Sequence, residues 1–226
     1  MGVLPVGLKQ LTFGLKFNLP LEVGVLPAGL IQLTFGGWFD QVMVVGILPV
    51  GLKQLTFGHY FNLPMDVCAL PRGLIQLTFG HYFNLPLEVG ELPAGLTQLT
   101  FGRRYNQPLL PGVLPAGLKQ LSFGDGYQQP LKVGVLPYGL TQLTLGCYVM
   151  PVEVDALPLG LRQITYGNCV FVRSSSNRNC SSEGQGTPAS AADKRFPGGR
   201  QTAFVFPAWL YTAGFIASAA SLRGQR

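Results

Sequence analysis

The side chains with the richest chemistry come in pairs, and the pairs recur at a fixed interval. His59-Tyr60 and His81-Tyr82 lie 22 residues apart, and Gly37-Trp38 and Arg103-Arg104 extend the series one interval each way. Leu15-Lys16, Asp125-Gly126 and Cys147-Tyr148 fill the same slot further out. Trp, Tyr and Arg are the side chains that anchor protein interfaces, since each buries a large area and still offers a polar group. A partner protein is therefore expected along Trp38, His59, Tyr60, His81, Tyr82, Arg103 and Arg104. His59 and His81 share a slot and should lie side by side. Two imidazoles are half of a metal site, but the chain has only 2 His, and the nearest acidic series, Asp66 and Glu88, sits beyond a proline turn. Neither a metal site nor a cofactor is expected. Nor is a catalytic site, because every candidate nucleophile or base is one rung of a repeating row, whereas catalysis needs a singular constellation.

What positions those pairs is a repeat. Leu-Pro recurs at Leu4-Pro5, Leu26-Pro27, Leu48-Pro49, Leu70-Pro71, Leu92-Pro93, Leu114-Pro115 and Leu136-Pro137, always 22 residues apart, and at Leu157-Pro158 after 21. A period of this size marks a solenoid in which one repeat is one coil, buried against its neighbours. The expected fold is a mainly β stack of about eight coils over residues 1–167, with one parallel sheet and no long helices.

Within a coil, Leu11 and Phe13 alternate around Thr12, as do Leu33 and Phe35, Leu55 and Phe57, and their later equivalents. That alternation predicts a short strand near 9–13 with one face inward, paired in register with the same strand of the next coil. Gln10 and Thr12 then face outward, at the head of one Gln row and one Thr row. Gly14 recurs at the strand's end, which predicts a turn with positive φ. Phe17 keeps an aromatic slot. Asn18, Asn62, Asn84 and Asn106 keep an amide slot, expected as a buried corner ladder that satisfies backbone groups left free by the bend. Two prolines in the first coil, Pro5 and Pro20, hold the return path extended, with a single helical turn at most.

The units Phe17-Asn18-Leu19-Pro20, Phe61-Asn62-Leu63-Pro64, Phe83-Asn84-Leu85-Pro86 and Tyr105-Asn106-Gln107-Pro108, flanked by Leu-Pro-x-Gly-Leu and Leu-x-Phe-Gly, carry a resemblance. Leu8-x-x-Leu11-x-Phe13 is similar to the leucine-rich repeat, and the whole unit more closely resembles the FNIP repeat, a relative of it. The resemblance covers roughly residues 1–167 and implies a solenoid with an interaction role and no catalytic residues. Phe39-Asp40-Gln41-Val42, Tyr127-Gln128-Gln129-Pro130 and Val149-Met150-Pro151 depart from the pattern, and the ladder is expected to weaken at the last, where a residue is missing.

The net charge of +6 is unevenly placed. Up to Gly167 there are 9 Lys/Arg and 8 Asp/Glu (9 − 8 = +1), and from Asn168 onward 7 and 2 (7 − 2 = +5). A nucleic-acid-binding stack should be basic along the face it presents, so no nucleic acid is expected. Of the four cysteines no two form a CxxC pair. Free thiols in an intracellular, cytoplasmic setting are the expectation, with a Cys169–Cys180 bridge as the alternative. The chain opens inside a repeat with no leader pattern, which reads as missing N-terminal coils or a late start. Residues 168–202 are expected to be a disordered Ser/Gly/Asn-rich linker. Residues 203–226 are an apolar tail whose stretch 203–222 has the length of a membrane span, but Pro207 and its weak apolar character stand against a membrane anchor, and a translated non-coding extension is at least as much expected because nothing in the tail continues the repeat. The leading expectation is a non-enzymatic scaffold for protein–protein interaction. The alternative is a structural or lattice-binding protein, ice included, that uses the Gln/Thr face.

Overall fold

The computed structural model describes residues 4–148, 150, 152, 154–167, 169–173 and the backbone of 215–217. One strand forms in each coil: β1 Gln10–Thr12, β2 Gln32–Thr34, β3 Gln54–Thr56, β4 Gln76–Thr78, β5 Gln98–Thr100, β6 Gln120–Ser122, β7 Gln142–Leu145 and β8 Gln163–Tyr166. They pair in chain order and in parallel, each residue on its repeat equivalent: Leu33 on Leu55, Leu55 on Leu77, Leu77 on Leu99. A slip of one residue would turn every leucine to solvent, so the inward apolar slot sets the register. This is the expected leucine-rich-repeat-like β-solenoid. Its described residues hold no α-helix, only a single 3-10 turn at Val154–Ala156.

Each of the first six coils bends three times, and each bend closes with a backbone hydrogen bond. In the second coil Leu30 N–H donates to Pro27 O at 3.0 Å, Phe39 N–H to Gly36 O at 3.1 Å and Ile47 N–H to Val44 O at 3.4 Å. The core is a set of columns. Leu30, Leu52, Leu74 and Leu96 have no exposed surface, and two aromatic columns rise beside them from Phe13 and Phe17. Ring centroids one coil apart are 5.6 Å for Phe13–Phe35 but 6.1 Å for Phe17–Phe39, and 5.7 Å for Phe57–Phe79 but 6.1 Å for Phe61–Phe83. Coils therefore fan apart away from the strands, and the sheet lies on the inner side of the bend. In the later coils the second column changes to tyrosine. Tyr105 and Tyr127 keep their hydroxyls buried without a hydrogen-bond partner. Burial foremost raises the pKa of both phenols.

The strand-end glycines from Gly36 to Gly146 are explained by space rather than by φ, which corrects the expectation for them, while the last strand-end glycine, Gly167, has the expected positive φ of 55°. The other positive values fall in the Val-Gly bend, at Gly24, Gly46, Gly90, Gly134 and, after a proline, Gly112. Cys68 occupies that slot too, with φ 70° and a side chain that the left-handed region disfavours. Gly36, Gly58, Gly80 and Gly102 each lie so close to the carbonyl of the preceding coil's glycine that any Cβ would overlap its oxygen. Backbones approach more tightly here than any other residue allows.

The expected linker at 168–202 is corrected at its start. Cys169–Arg173 forms β9, antiparallel to β8. Its alternation places Cys169 and Phe171 inward, 7% and 0% exposed, where they cover the last coil. Phe215–Ala217 adds β10, antiparallel to β9. The rest of 168–202 and of the 203–226 tail, with Cys180 and most of 203–222, lies outside the described residues. Among the described residues no helix is long and apolar enough to cross a membrane.

Candidate functional site

The bend that follows each strand presents the variable pair. Because the glycines let successive coils close up, its backbone forms a second ladder: Trp38 N–H donates to Leu15 O at 3.0 Å, Tyr60 to Gly37 O at 2.8 Å, Tyr82 to His59 O at 3.0 Å and Arg104 to His81 O at 3.0 Å. Neighbouring pairs are thereby held in register, and their side chains meet. Trp38 stands edge-on to Tyr60 with centroids 6.4 Å apart, and Tyr60 stacks on Tyr82 at 5.0 Å. The Arg104 guanidinium lies 4.3 Å from the Tyr82 ring centroid, a cation–π contact. Beside this strip runs a second row. His59 Nε2 and His81 Nδ1 are 3.1 Å apart, one imidazole donating to the other, and Arg103 Nε sits 3.2 Å from Asp125 Oδ2. Burial first, then the positive charge of His59, Arg103 and Arg104, lowers the pKa of His81 below the usual imidazole value. All seven residues singled out in the sequence thus come together on one corner. Trp38, His59, Tyr60, Arg103 and Arg104 are exposed, and His81 and Tyr82 are half-buried.

One member of the series does not belong. Tyr148 is 1% exposed and stacks on Tyr127 in the aromatic column. The shorter repeat loses its residue from this bend rather than from the Val149-Met150-Pro151 stretch. Only Cys147 therefore separates Gly146 from the column, where Asp125 and Gly126 separate Gly124 from Tyr127.

Next along each coil comes the amide ladder. Asn18 Oδ1 accepts Asp40 N–H at 2.9 Å, Asn62 Oδ1 accepts Asn84 N–H at 2.8 Å, Asn84 Oδ1 accepts Asn106 N–H at 2.8 Å, and Asn106 Oδ1 accepts Gln128 N–H at 2.8 Å. Each side chain serves the coil above it, as the spacing predicts. The expected burial is corrected: Asn84 and Asn106 are half-buried, and Asn18 and Asn62 are exposed. At the short repeat the pattern changes, and Gln128 Nε2 donates to Cys147 O at 2.7 Å.

Between the variable pairs and the amides lies a shallow cleft of about 760 Å³. His81, Tyr82, Arg103 and Arg104 form one wall, with Asp125 and Gly126 at one end, and Asn62, Asn84 and Asn106 form the other. Sequence reasoning put Asp125 in the row of the variable pairs but joined neither it nor the amides to the expected binding residues. The amides looked purely structural, and Asp125 has the wrong charge for its row. The signal that could have found them is the short distance in sequence from each pair to its asparagine. Among the described residues no three metal-ligating side chains converge.

The outward Gln and Thr rows line the sheet face, where Gln32 Nε2 donates to Gln54 Oε1 at 2.5 Å. The slot before the Gln row varies from coil to coil, as Lys9, Ile31, Lys53 and Ile75, and is partly tied to backbone, since Lys53 Nζ donates to Gly73 O at 3.2 Å.

Comparison with known proteins bears on the whole stack. The family model described as FNIP Repeat matches residues 1–37, 39–82, 83–126 and 105–148. A solved structure titled "The crystal structure of CroV588 a novel circular LRR protein structure" is similar, with 34% sequence identity and a TM-score of 0.67 over 73% of this chain. The matched part is 28% of that longer chain. No curated protein matches by sequence.

Proposed function

The chain belongs to the FNIP-repeat family, and from that premise we propose that it is a non-enzymatic scaffold that captures a partner protein on its Trp38-to-Arg104 corner. The observation that carries this reading is the ordered strip in which Trp38, Tyr60, Tyr82 and Arg104 touch in sequence along the stack. Aromatic and guanidinium anchors are most effective when they are already held in place, because little freedom is then lost on binding. Repeat solenoids of this kind are typically scaffolds rather than catalysts. The nearly neutral stack supports a protein over a nucleic acid as the partner. The exposed thiols of Cys68 and Cys147 suit a reducing, intracellular setting. Against the lattice alternative stands the bend of the stack, which a flat repeating surface would not follow along the Gln/Thr face.

The test is affinity capture with the triple variant Tyr60→Ala, Tyr82→Ala, Arg104→Ala beside Gln54→Ala with Gln76→Ala on the sheet face. The triple variant should lose the partner while keeping its melting temperature, since none of the three fills the core. Loss with the sheet-face pair and retention with the triple would move the ligand to the Gln/Thr rows.

A further inference from the structure

The cleft beside the corner has a one-sided hydrogen-bonding character. Asn62, Asn84 and Asn106 each commit the carbonyl oxygen of the amide to a backbone N–H of the next coil, at 2.8 Å in all three cases. With the oxygen so fixed, the NH2 group is the end left to face outward. Arg103 and Arg104 can only donate. The one acidic group on the wall, Asp125, is already paired with Arg103. The cleft is therefore a donor array in a positive field, and what fills it must be rich in acceptors and negatively charged.

The array also has a direction. Its amides do not converge on a point, as a cradle for a single phosphate would. They recur once per coil, and ring centroids of successive coils are 5.0 Å apart at Tyr60–Tyr82 on the cleft side and 6.1 and 6.0 Å apart at Phe61–Phe83 and Phe83–Tyr105 in the core column beside the amides. In an extended chain, side chains on one face recur about every 6.5 Å. An extended segment lying along the stack would thus bring alternate side chains to successive coils. Arg104 is prepared for such a segment, because its contact with Tyr82 at 4.3 Å holds the guanidinium in place before any ligand arrives.

We infer that this cleft receives an extended acidic segment of the partner protein, with alternate Asp or Glu carboxylates set against the guanidinium groups of Arg103 and Arg104 and the amides of successive coils. The inference rests on the reading that the corner binds protein, and it names the chemistry of the part bound. Asp125 then acts as an internal competitor, occupying Arg103 until a carboxylate of the ligand displaces it.

The probe is a fluorescent peptide of alternating Glu and Thr, followed by anisotropy at low salt, with the matching Gln-Thr peptide as control. The Glu-Thr peptide should bind, weaken as salt rises, and lose about tenfold in affinity to R103Q with R104Q. Asp125→Asn should strengthen binding by about threefold, because it frees Arg103. The Gln-Thr peptide should not bind, and millimolar inorganic phosphate should leave the complex intact. Occupancy should raise the pKa of His81, read from its imidazole proton shifts, because nearby carboxylates favour the imidazolium. Equal binding of the two peptides, no binding at low salt, or indifference to the double arginine variant overturns the inference. Displacement by phosphate overturns its extended geometry. If the acidic peptide fails while the Tyr60, Tyr82, Arg104 triple variant still loses the partner, the corner works through its rings and only this inference falls. If that triple variant also keeps its partner, the reading of the corner itself falls.

Discussion

Two bends of most coils carry a recurrent glycine, for opposite reasons. In the bend after the strand, Gly80 has an ordinary φ and no room, since a Cβ would overlap Gly58 O. In the Val-Gly bend, Gly90 has φ 94° and open space, with nothing within 4 Å of where a Cβ would stand. The first glycine serves contact between coils, the second serves the path within one coil. The difference has a consequence for the site. Close contact of backbones is what presses Tyr60 onto Tyr82 and Arg104 onto Tyr82, so the variable pairs sit on the bend where coils are clamped most tightly. At the Val-Gly bend the exposed residues include a row of similar small apolar side chains, Val23, Val45, Val67 and Val89, and beside it a row that varies in charge, Glu22, Val44, Asp66 and Glu88, but no stacked aromatic rings.

The comparison is most exposed to a test at the clamped bend. Gly80→Ala should destabilise the protein by about 3 kcal/mol or more, because a methyl group must displace backbone rather than a side chain. Gly14→Ala fills the same slot in the first coil, where nothing lies within 4 Å, and should be neutral or mildly stabilising. Equal losses in urea unfolding would mean that the slot is governed by φ after all.

A smaller loss is expected from the amide ladder just beyond that bend. Asn84→Ala strips the acceptor from Asn106 N–H and should cost about 1–2 kcal/mol, in the lower part of the range for an orphaned donor because the site is only half-buried. Asn84→Asp keeps the acceptor and should restore most of the loss at neutral pH. An alanine variant that melts with the wild type would show that water serves Asn106 equally well.

At the open bend, Gly90→Ala should cost about 1–2 kcal/mol from conformation alone. Unlike Gly80→Ala, it should leave the rings of the Tyr60–Tyr82 stack undisturbed in near-ultraviolet circular dichroism. A change in that signal would mean that strain at one bend is transmitted to the other.

The smallest effect runs the other way. Cys68 holds φ 70° in the slot that glycine fills in neighbouring coils. Cys68→Gly relieves that conformation but loosens the unfolded chain, so a gain of up to about 1 kcal/mol is expected. A loss of stability would mean that the cysteine side chain makes a contact that outweighs its strain.

Much of this molecule was legible from spacing alone. The period of the Leu-Pro pairs gave the coil, the Leu11–Phe13 alternation placed the strand, and identical residues at identical intervals dictated an in-register parallel sheet. The same logic put His59 beside His81 and Asn62 beneath Asn84, because in a stack equal phase means adjacency. Phase within one coil is as far as that reasoning reaches. Whether a glycine is needed for its φ or for its missing Cβ depends on how near the neighbouring backbone comes, which the residue type does not encode. Whether a shortened repeat loses its residue at one bend or another depends on which position the core holds, and Tyr148 was held by the aromatic column. That the amide row and the variable pairs wall a single cleft follows from the angle through which the chain turns between them. The closure of the stack by Cys169–Arg173 likewise rests on a strand reversing direction, which no repeat could announce. Sequence determined which residues would be neighbours from coil to coil, because translation along the stack preserves identity. Only the tertiary structure decided distances across a coil, because those are set by packing several different side chains at once.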